Sequence, residues 1–276
     1  MGRATVKISR KQDLAAAALF AGLLIAGPNA SAQQTEEQLA LAAQNPIAAM
    51  VSVPFQYNYD HEIGLERDGY KNYLNIQPVI PASLNEDWNL ITRVILPVVW
   101  QTDIVPGTSQ SGIGDVTASL FFSPKKPSAD GWIWGVGPVF YLPTGSNDLI
   151  GADKWGMGPT GVFLKQENGW TYGALLNHIW STGGAGKATI NNTFMQPFLT
   201  YTTKTHTSFT LQSESTYDWT RSQWSVPIHF LVSQLAKIGG QPVQFQVGAR
   251  YWADSPQVGA HGWGLRATLT LLFPAK

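Results

Sequence analysis

His178 and Ser181 are the residues whose types and spacing best fit covalent chemistry. A histidine close to a serine can act as the general base of an ester hydrolase. If this segment is a strand, however, His178 shares its face with Trp170 and Leu176, and that face is apolar. The pattern therefore predicts no catalytic residues, and hydrolysis is kept only as a weak alternative.

Other reactive groups are scattered or missing from the sequence. There is no cysteine, which excludes disulfides and Cys-ligated metals. The five histidines form no i, i+2 pair, so they do not predict a metal site. The glycine-rich run STGGAGKAT lacks the G-x-x-x-x-G-K-[ST] spacing of a phosphate loop. We therefore expect no metal and no cofactor.

The composition is poor in charge and rich in aromatic residues. Lys and Arg number 18, as do Asp and Glu, and charged residues make up 13% of 276 residues against 12% aromatic. A disordered chain needs many charges and few aromatics, and a nucleic-acid binder needs a positive excess. This composition suits a β-rich protein whose solvent is not only water.

The N-terminus has the features of a secretory signal peptide. Four basic residues accompany an apolar stretch over residues 14–27, and Ala30-Ser31-Ala32 supplies the small residues that a signal peptidase recognises. The stretch is shorter than the roughly 20 residues of a spanning helix. We expect residues 1–32 to be removed, which leaves 14 basic and 17 acidic residues in an exported chain.

The remaining sequence alternates with the period of a β-strand. For example, Val243, Phe245 and Val247 share one face, while Gln244 and Gln246 lie on the other. Twelve such segments can be placed, with ten or fourteen as alternatives, near residues 51–60, 70–81, 88–102, 113–123, 132–142, 154–166, 169–181, 193–203, 206–218, 223–236, 241–253 and 261–273. An even number of strands is typical of an antiparallel transmembrane β-barrel, which we predict over residues 51–276. A soluble exported β-protein is the other interpretation.

The connections support the barrel, whereas the prolines conflict with it. Long links over 103–112, 143–153 and 181–192 alternate with short links such as 166–169 and 203–206, as expected of an outer-membrane barrel. Proline removes a ladder hydrogen bond and belongs at edges or bulges. The strands therefore carry bulges, or the barrel is interrupted, at Pro54, Pro78, Pro97, Pro138, Pro159, Pro197 and Pro227.

Residues 33–50 precede the barrel and contain a pattern that predicts a short helix over 35–49. Such a segment can enter the barrel as a plug or extend from it as a periplasmic tail. The tail is the preferred interpretation.

Several segments resemble a family of proteobacterial outer-membrane proteins. They are NIQPVIPASLNEDWNLITRVILPVVWQ (Asn75–Gln101), GIGDVTASLFFSP (Gly112–Pro124), KWGMGPT (Lys154–Thr160), NHIWS (Asn177–Ser181) and YWADSPQVGAHGWGLR (Tyr251–Arg266). These segments are similar in sequence to the outer-membrane transporters associated with the phenol meta-degradation pathway. The resemblance covers nearly the whole mature chain and implies a twelve-stranded outer-membrane barrel that passes hydrophobic or aromatic compounds.

If the apolar strand faces contact lipid, the polar faces line the lumen. The expected lumen residues, which could set selectivity or form salt bridges with one another, are Arg93, Asp115, Glu214, Arg250, Arg266, Gln77, Gln244 and Gln246. In this interpretation the three arginines face Asp115 and Glu214. A lumen lined mainly by amides indicates that the solute is uncharged or that the channel is unselective.

Most tryptophans lie near the ends of predicted strands, where aromatic belts meet the membrane interfaces. The expected belt consists of Trp88, Trp100, Trp132, Trp155, Trp170, Trp180, Trp219, Trp224, Trp252 and Trp263.

The sequence therefore predicts an outer-membrane channel, not an enzyme, that passes small hydrophobic or aromatic solutes by passive diffusion. The alternatives are a structural barrel with a filled lumen and, less favoured, a lipid hydrolase. The expected partners are outer-membrane lipids, a small-molecule solute and the barrel assembly machinery, which would recognise the C-terminal strand through the alternation Leu269-x-Leu271-x-Phe273. No nucleic acid is expected.

Overall fold

The computed structural model of the protein describes residues 35–274. The signal peptide predicted over residues 1–32 lies outside the described residues. Between residues 35 and 274, no helix is both long enough and apolar enough to cross a membrane.

The described residues form one helix and fifteen strands. Helix α1 spans Glu36–Ala42, and Thr35 caps it through reciprocal hydrogen bonds with Gln38. The strands are β1 (Val51–Ile63), β2 (Gly69–Ile76), β3 (Val79–Ser83), β4 (Trp88–Thr102), β5 (Ser109–Ile113), β6 (Val116–Pro124), β7 (Trp132–Leu142), β8 (Trp155–Glu167), β9 (Trp170–Gly183), β10 (Asn191–Thr202), β11 (Thr207–Ser213), β12 (Ser215–Asp218), β13 (Gln223–Ile238), β14 (Gln241–Asp254) and β15 (Gly262–Phe273).

Three pairs of consecutive strands are each one barrel strand with an interruption. β2 and β3 are separated by residues 77–78, β5 and β6 by residues 114–115, and β11 and β12 by Glu214. The fifteen segments therefore make twelve barrel strands. All neighbours are antiparallel, and the pairs β1–β15 and β9–β10 complete the circle. The prediction of a twelve-stranded antiparallel barrel is confirmed.

The three interruptions lie opposite prolines of a neighbouring strand. At the first, the N–H of Gln77 donates to the carbonyl of Pro54 at 2.9 Å, and at the second, the N–H of Gly114 donates to that of Pro97 at 2.8 Å. Pro227 occupies the same place at the third. Because proline has no N–H, it cannot complete the ladder at that position. The strands therefore leave regular pairing there, while the barrel remains closed.

The connections differ between the two ends of the barrel. At the end that holds the chain termini, they cover residues 84–87, 125–131, 168–169, 203–206 and 239–240. At the opposite end, they cover residues 64–68, 103–108, 143–154, 184–190, 219–222 and 255–261. Two predicted loops, 103–112 and 181–192, are shorter than expected because β5, β9 and β10 extend into them. Short turns at the end with the termini identify the periplasmic side of such a barrel.

The strand faces separate apolar from polar residues as the alternation predicts. Large apolar side chains point outward from the middle of strands and stay exposed, as shown by Phe230 (58%), Val247 (62%) and Leu265 (59%). A protein surrounded only by water rarely exposes a continuous apolar surface of this kind. The outer surface is therefore suited to contact with lipid, and the protein is a transmembrane barrel of the outer membrane.

Candidate channel lumen

Residues 35–50, which we call the plug segment, lie inside the periplasmic half of the barrel. Two clusters hold the segment. Ile47 packs against the wall residues Ile91, Phe121 and Leu164, and Leu39 joins a second cluster near Leu235. The preferred prediction of a periplasmic tail is therefore wrong for residues 35–50, although its short helix is present. The apolar side chains of the segment are buried by entering the lumen, which is the physical reason for the difference.

Polar contacts fix the plug segment to three parts of the periplasmic rim. The side chain of Gln166 donates to the carbonyl of Leu41 at 2.8 Å, and Gln44 donates to the hydroxyl of Ser208 at 3.3 Å. Glu36 forms an ion pair with Lys237 at 2.7 Å, which lowers the pKa of the Glu36 carboxyl. The segment is thus held by both apolar packing and specific polar contacts.

Arg250 and Asp60 form a fully buried ion pair above the plug segment. Nε of Arg250 donates to Asp60 at 2.7 Å, and its terminal nitrogen donates to the hydroxyl of Tyr73 at 2.8 Å. Trp252 also donates to Asp60, at 3.0 Å, so the carboxylate has several donors. Asp60 was not among the lumen residues expected from the sequence. Its shared parity with Asn58 is the signal that could have found it.

Arg266 and Glu214 form a second ion pair, deeper in the barrel. The guanidinium binds the carboxylate through two parallel hydrogen bonds of 2.7 Å. Asn58 accepts from Nε of Arg266 at 2.8 Å and from Arg250 at 3.4 Å, so it connects the two pairs. The sequence predicted that these side chains line the lumen and pair; the structure brings Arg266 and Glu214 together, and their effect on selectivity stays a prediction.

Arg93 differs from the other two lumen arginines because it binds no carboxylate. Its terminal nitrogen donates to the side-chain oxygen of Gln77 at 2.9 Å. Among residues 35–274, no Asp or Glu forms a salt bridge with it. The guanidinium carries five N–H donors, so most of them have no acceptor within residues 35–274.

Asp115 does not meet the arginines, and the expectation that they face it is wrong. Its carboxylate accepts from the backbone of Gly145 and Ala152 at 2.8 and 2.5 Å, and from the hydroxyl of Tyr141 at 2.9 Å. Asp115 lies at the interruption between β5 and β6, near the extracellular end, where loop 143–154 folds against it. It therefore anchors this loop and is not part of an arginine layer.

A cavity of about 170 Å³ lies between the plug segment and the ion pairs. Its wall includes Arg93, Glu214 and Arg266 together with apolar side chains such as Val79 and Phe198. The glutamines on its wall are Gln77, Gln196, Gln212, Gln244 and Gln246. The predicted residues Gln77, Gln244 and Gln246 are thus brought to one cavity with two of the arginines.

The sequence predicted a lumen lined mainly by amides, but part of its surface is apolar. On one side of the barrel, buried inward-facing side chains are apolar, including Phe121, Val139, Val162, Leu164 and Leu175. Ile47 of the plug segment packs on this wall. Part of the lumen surface is therefore a packed core and not a water-lined path.

The tryptophans lie mostly on the outer surface near the two barrel rims. Those near the extracellular rim are Trp100, Trp155, Trp180, Trp219, Trp224 and Trp263; those near the periplasmic rim are Trp88, Trp132 and Trp170. Trp252 is an exception, because its indole N–H donates to Asp60 and its ring lies 5.6 Å from the Arg250 guanidinium. Its assignment to the belt is wrong, since Trp252 shares the inward parity of Arg250. The role of the other nine as a membrane belt remains a prediction.

His178 and Ser181 do not form a catalytic pair. They lie three residues apart on β9, so they point to opposite faces of the barrel wall. Nδ1 of His178 contacts the hydroxyl of Thr193 at 2.7 Å, and its ring lies beside Trp180. Ser181 instead bonds the backbone of Ile190. The part of the chain that the structure describes also contains no cluster of three potential metal ligands.

Residues 68–271 match a family model described as "Putative MetA-pathway of phenol degradation". The chain belongs to this family. The match covers most of the barrel, so the resemblance read from the sequence is confirmed. Among curated proteins, none gives a significant match.

Solved outer-membrane barrels are similar to this family member in fold. An outer membrane channel from Pseudomonas putida F1 is 14% identical with a TM-score of 0.66, and the alignment covers 83% of this chain and 97% of that chain. The KdgM porin is 11% identical with a TM-score of 0.45, covering 81% and 99%. Outer membrane phospholipase A from Escherichia coli is 12% identical with a TM-score of 0.44, covering 83% and 93%. At 14% identity the first similarity supports the fold alone, and the other two carry no argument.

Proposed function

We propose that this barrel is a passive channel for small hydrophobic or aromatic solutes in the outer membrane. The observation that carries the proposal is the cavity of about 170 Å³ inside the closed wall. Its surface combines amide and arginine groups with apolar side chains, which suits a solute with an apolar body and a few polar atoms. The Pseudomonas putida channel of similar fold and the family match support the same direction.

In this proposal the plug segment limits the path at the periplasmic end. It occupies the lumen beside the cavity through residues 42–46. A solute that reaches the cavity leaves toward the periplasm when the segment shifts. The channel is therefore expected to conduct weakly and intermittently.

Single-channel recording in planar bilayers tests this proposal. The full mature chain is expected to give small current steps with long closed periods. Absence of any current, together with absence of solute flux into liposomes that contain the folded protein, would contradict the channel function. Heat-modifiable migration on a detergent gel verifies that the reconstituted protein is a folded barrel.

The packed plug segment favours a second candidate, a structural barrel without transport. Ile47 is only 3% exposed, and residues on both sides of the lumen contact the segment. A structural barrel predicts no conductance in any variant, including variants that loosen the plug. The same recordings therefore separate the two candidates.

We further propose that β15 is the strand read by the barrel assembly machinery. Leu269, Leu271 and Phe273 alternate along the outer face of this last strand, and Phe273 is exposed. Replacing Phe273 with serine is expected to reduce the amount of folded barrel in the outer membrane, measured by heat-modifiable migration of membrane fractions. An unchanged yield would exclude this role for Phe273.

A further inference from the structure

We propose that Arg93 forms a binding site for the carboxylate group of a small organic acid inside the lumen cavity, with Gln244 on the same cavity wall as a second contact to the bound molecule. This site would narrow the class of solute in the channel proposal, and its role in transport depends on that proposal. Its existence as a binding site does not.

The first argument is the contrast between three arginines in one lumen. Arg250 and Arg266 each bind a protein carboxylate through two nitrogens, and both share Asn58 as a further acceptor. Arg93 has one neutral acceptor, Gln77, among the described residues. A planar guanidinium matches a carboxylate in a two-pronged geometry. The protein therefore supplies the carboxylate at two arginines and leaves the corresponding position open at the third.

The net charge of the cavity wall points the same way. Glu214 and Arg266 neutralise each other through their paired hydrogen bonds. Arg93 then contributes one positive charge that no other wall residue balances. An incoming group with one negative charge would balance it, whereas a cation would be repelled.

The second argument is an unused donor on the same wall. Gln244 is 5% exposed, and its amide nitrogen is buried without a hydrogen-bond partner between residues 35 and 274. A buried donor without an acceptor is costly and uncommon in native proteins. Gln244 lines the cavity that Arg93 lines, so a ligand that fills the cavity contacts both residues.

The size and lining of the cavity limit the rest of the ligand. Its volume of about 170 Å³ is close to that of an engineered cavity, roughly 150 Å³, that holds benzene. Val79, Phe198 and Leu231 provide apolar surface for a ring or a short alkyl chain. A monocarboxylic acid with one ring therefore fits the site in charge, donor pattern and size.

Fluorine NMR with 4-fluorobenzoate tests the site on the full mature chain in detergent. The neutral comparator is 4-fluorobenzyl alcohol, which keeps the ring and the fluorine but lacks the charge. We expect a saturable shift with the acid and only linear partitioning into micelles with the alcohol. Equal binding of the alcohol would overturn the proposal, as would displacement of the acid by an equal concentration of inorganic phosphate.

Variants assign the binding to the two residues. Arg93→Gln should weaken 4-fluorobenzoate binding by at least about tenfold, since hydrogen bonds to charged groups contribute most to such a site. Gln244→Glu should also weaken 4-fluorobenzoate binding, because it places a negative charge at the site. This second variant tests the site if Arg93→Gln does not fold. Lys126→Gln, in an exposed periplasmic connection, is the matched control and should bind as the unmodified chain does.

Two results separate this site from the channel proposal. Unchanged affinity in both Arg93→Gln and Gln244→Glu would refute the site even if the unmodified barrel conducts. Saturable binding that Arg93→Gln abolishes would support the site even if no current is ever recorded. Each measurement is therefore decisive for its own claim.

Discussion

Replacing Ile47 with asparagine is expected to release the plug segment from the lumen. Ile47 packs against Ile91, Phe121 and Leu164 on the barrel wall. Burying this side chain contributes about 1.5–3 kcal/mol, and burying an amide without a partner costs about 1–3 kcal/mol. Together they weaken docking by roughly 2.5–6 kcal/mol, which changes the ratio of docked to released segment by roughly 60-fold to 20,000-fold.

Two assays measure the release. In planar bilayers, Ile47→Asn should show longer open periods and larger current than the unmodified chain. In detergent, a protease should cleave residues 35–50 faster while the barrel remains intact. Ala49→Asn is the matched control, because it introduces the same side chain two residues away at an exposed position. It should leave both the current and the cleavage rate unchanged.

Two outcomes would refute this reasoning. If the segment of Ile47→Asn is cleaved faster but the current stays the same, residues 35–50 do not obstruct the path. If neither quantity changes, packing of Ile47 does not hold the segment. Heat-modifiable migration on a gel tests whether the substitution has damaged the barrel itself, because a damaged barrel loses the shift in migration.

Three further predictions concern the contacts of the lumen and the rims. Arg250→Ala should lower the stability of the barrel by about 3–5 kcal/mol, because it leaves the buried Asp60 carboxylate without its partner. The temperature at which the barrel loses its heat-modifiable migration on a gel measures this change. Asp60→Asn in the same chain should restore part of the lost stability. The pKa of Glu36 is lowered by its bond to Lys237, so this contact is present above the ordinary carboxyl value of 4.5 and is lost as the pH falls through the lowered pKa. Protease cleavage of the plug segment should therefore rise in acid, and Lys237→Gln should reduce that dependence. A rise of the same size in Lys237→Gln would exclude the contact between Glu36 and Lys237 as its source. Asp115→Ala removes the acceptor of three hydrogen bonds from the long extracellular loop and its base, and should make the loop sensitive to protease on intact cells; continued resistance would show that other contacts hold it.

The barrel could be predicted from the sequence because its main determinant is local. Strand alternation depends on neighbouring residues, so Val243–Val247 indicated both a strand and its lipid-facing side. Twelve segments and their order followed directly. The same parity placed Arg93, Arg250 and Arg266 on the inner face, and it would have excluded Trp252 from the outer belt had it been applied there.

The contacts inside the lumen could not be predicted in this way. Parity shows which face a residue occupies but not its height in the barrel, which depends on strand stagger. Asp115 therefore could not be separated from Glu214, although one anchors a loop and the other binds Arg266. The position of the plug segment inside the lumen could not be predicted for a related reason. Its helix is readable from sequence, but its docking depends on an apolar wall assembled from distant strands.

Three of the in-strand prolines, Pro54, Pro97 and Pro227, lie opposite interruptions that each place one polar side chain inside the barrel. Each interruption opposite a proline contains one buried or partly buried acceptor: Gln77, Asp115 or Glu214. A side chain at an interruption is less constrained by the pleat than one inside a ladder, so it can turn toward a donor. Glu214 meets Arg266 in this way and Asp115 meets a loop. Gln77 alone is neutral, and it is the acceptor of Arg93, which has no carboxylate partner among the described residues. The identity of one residue at one interruption thus decides whether the lumen carries a free positive charge.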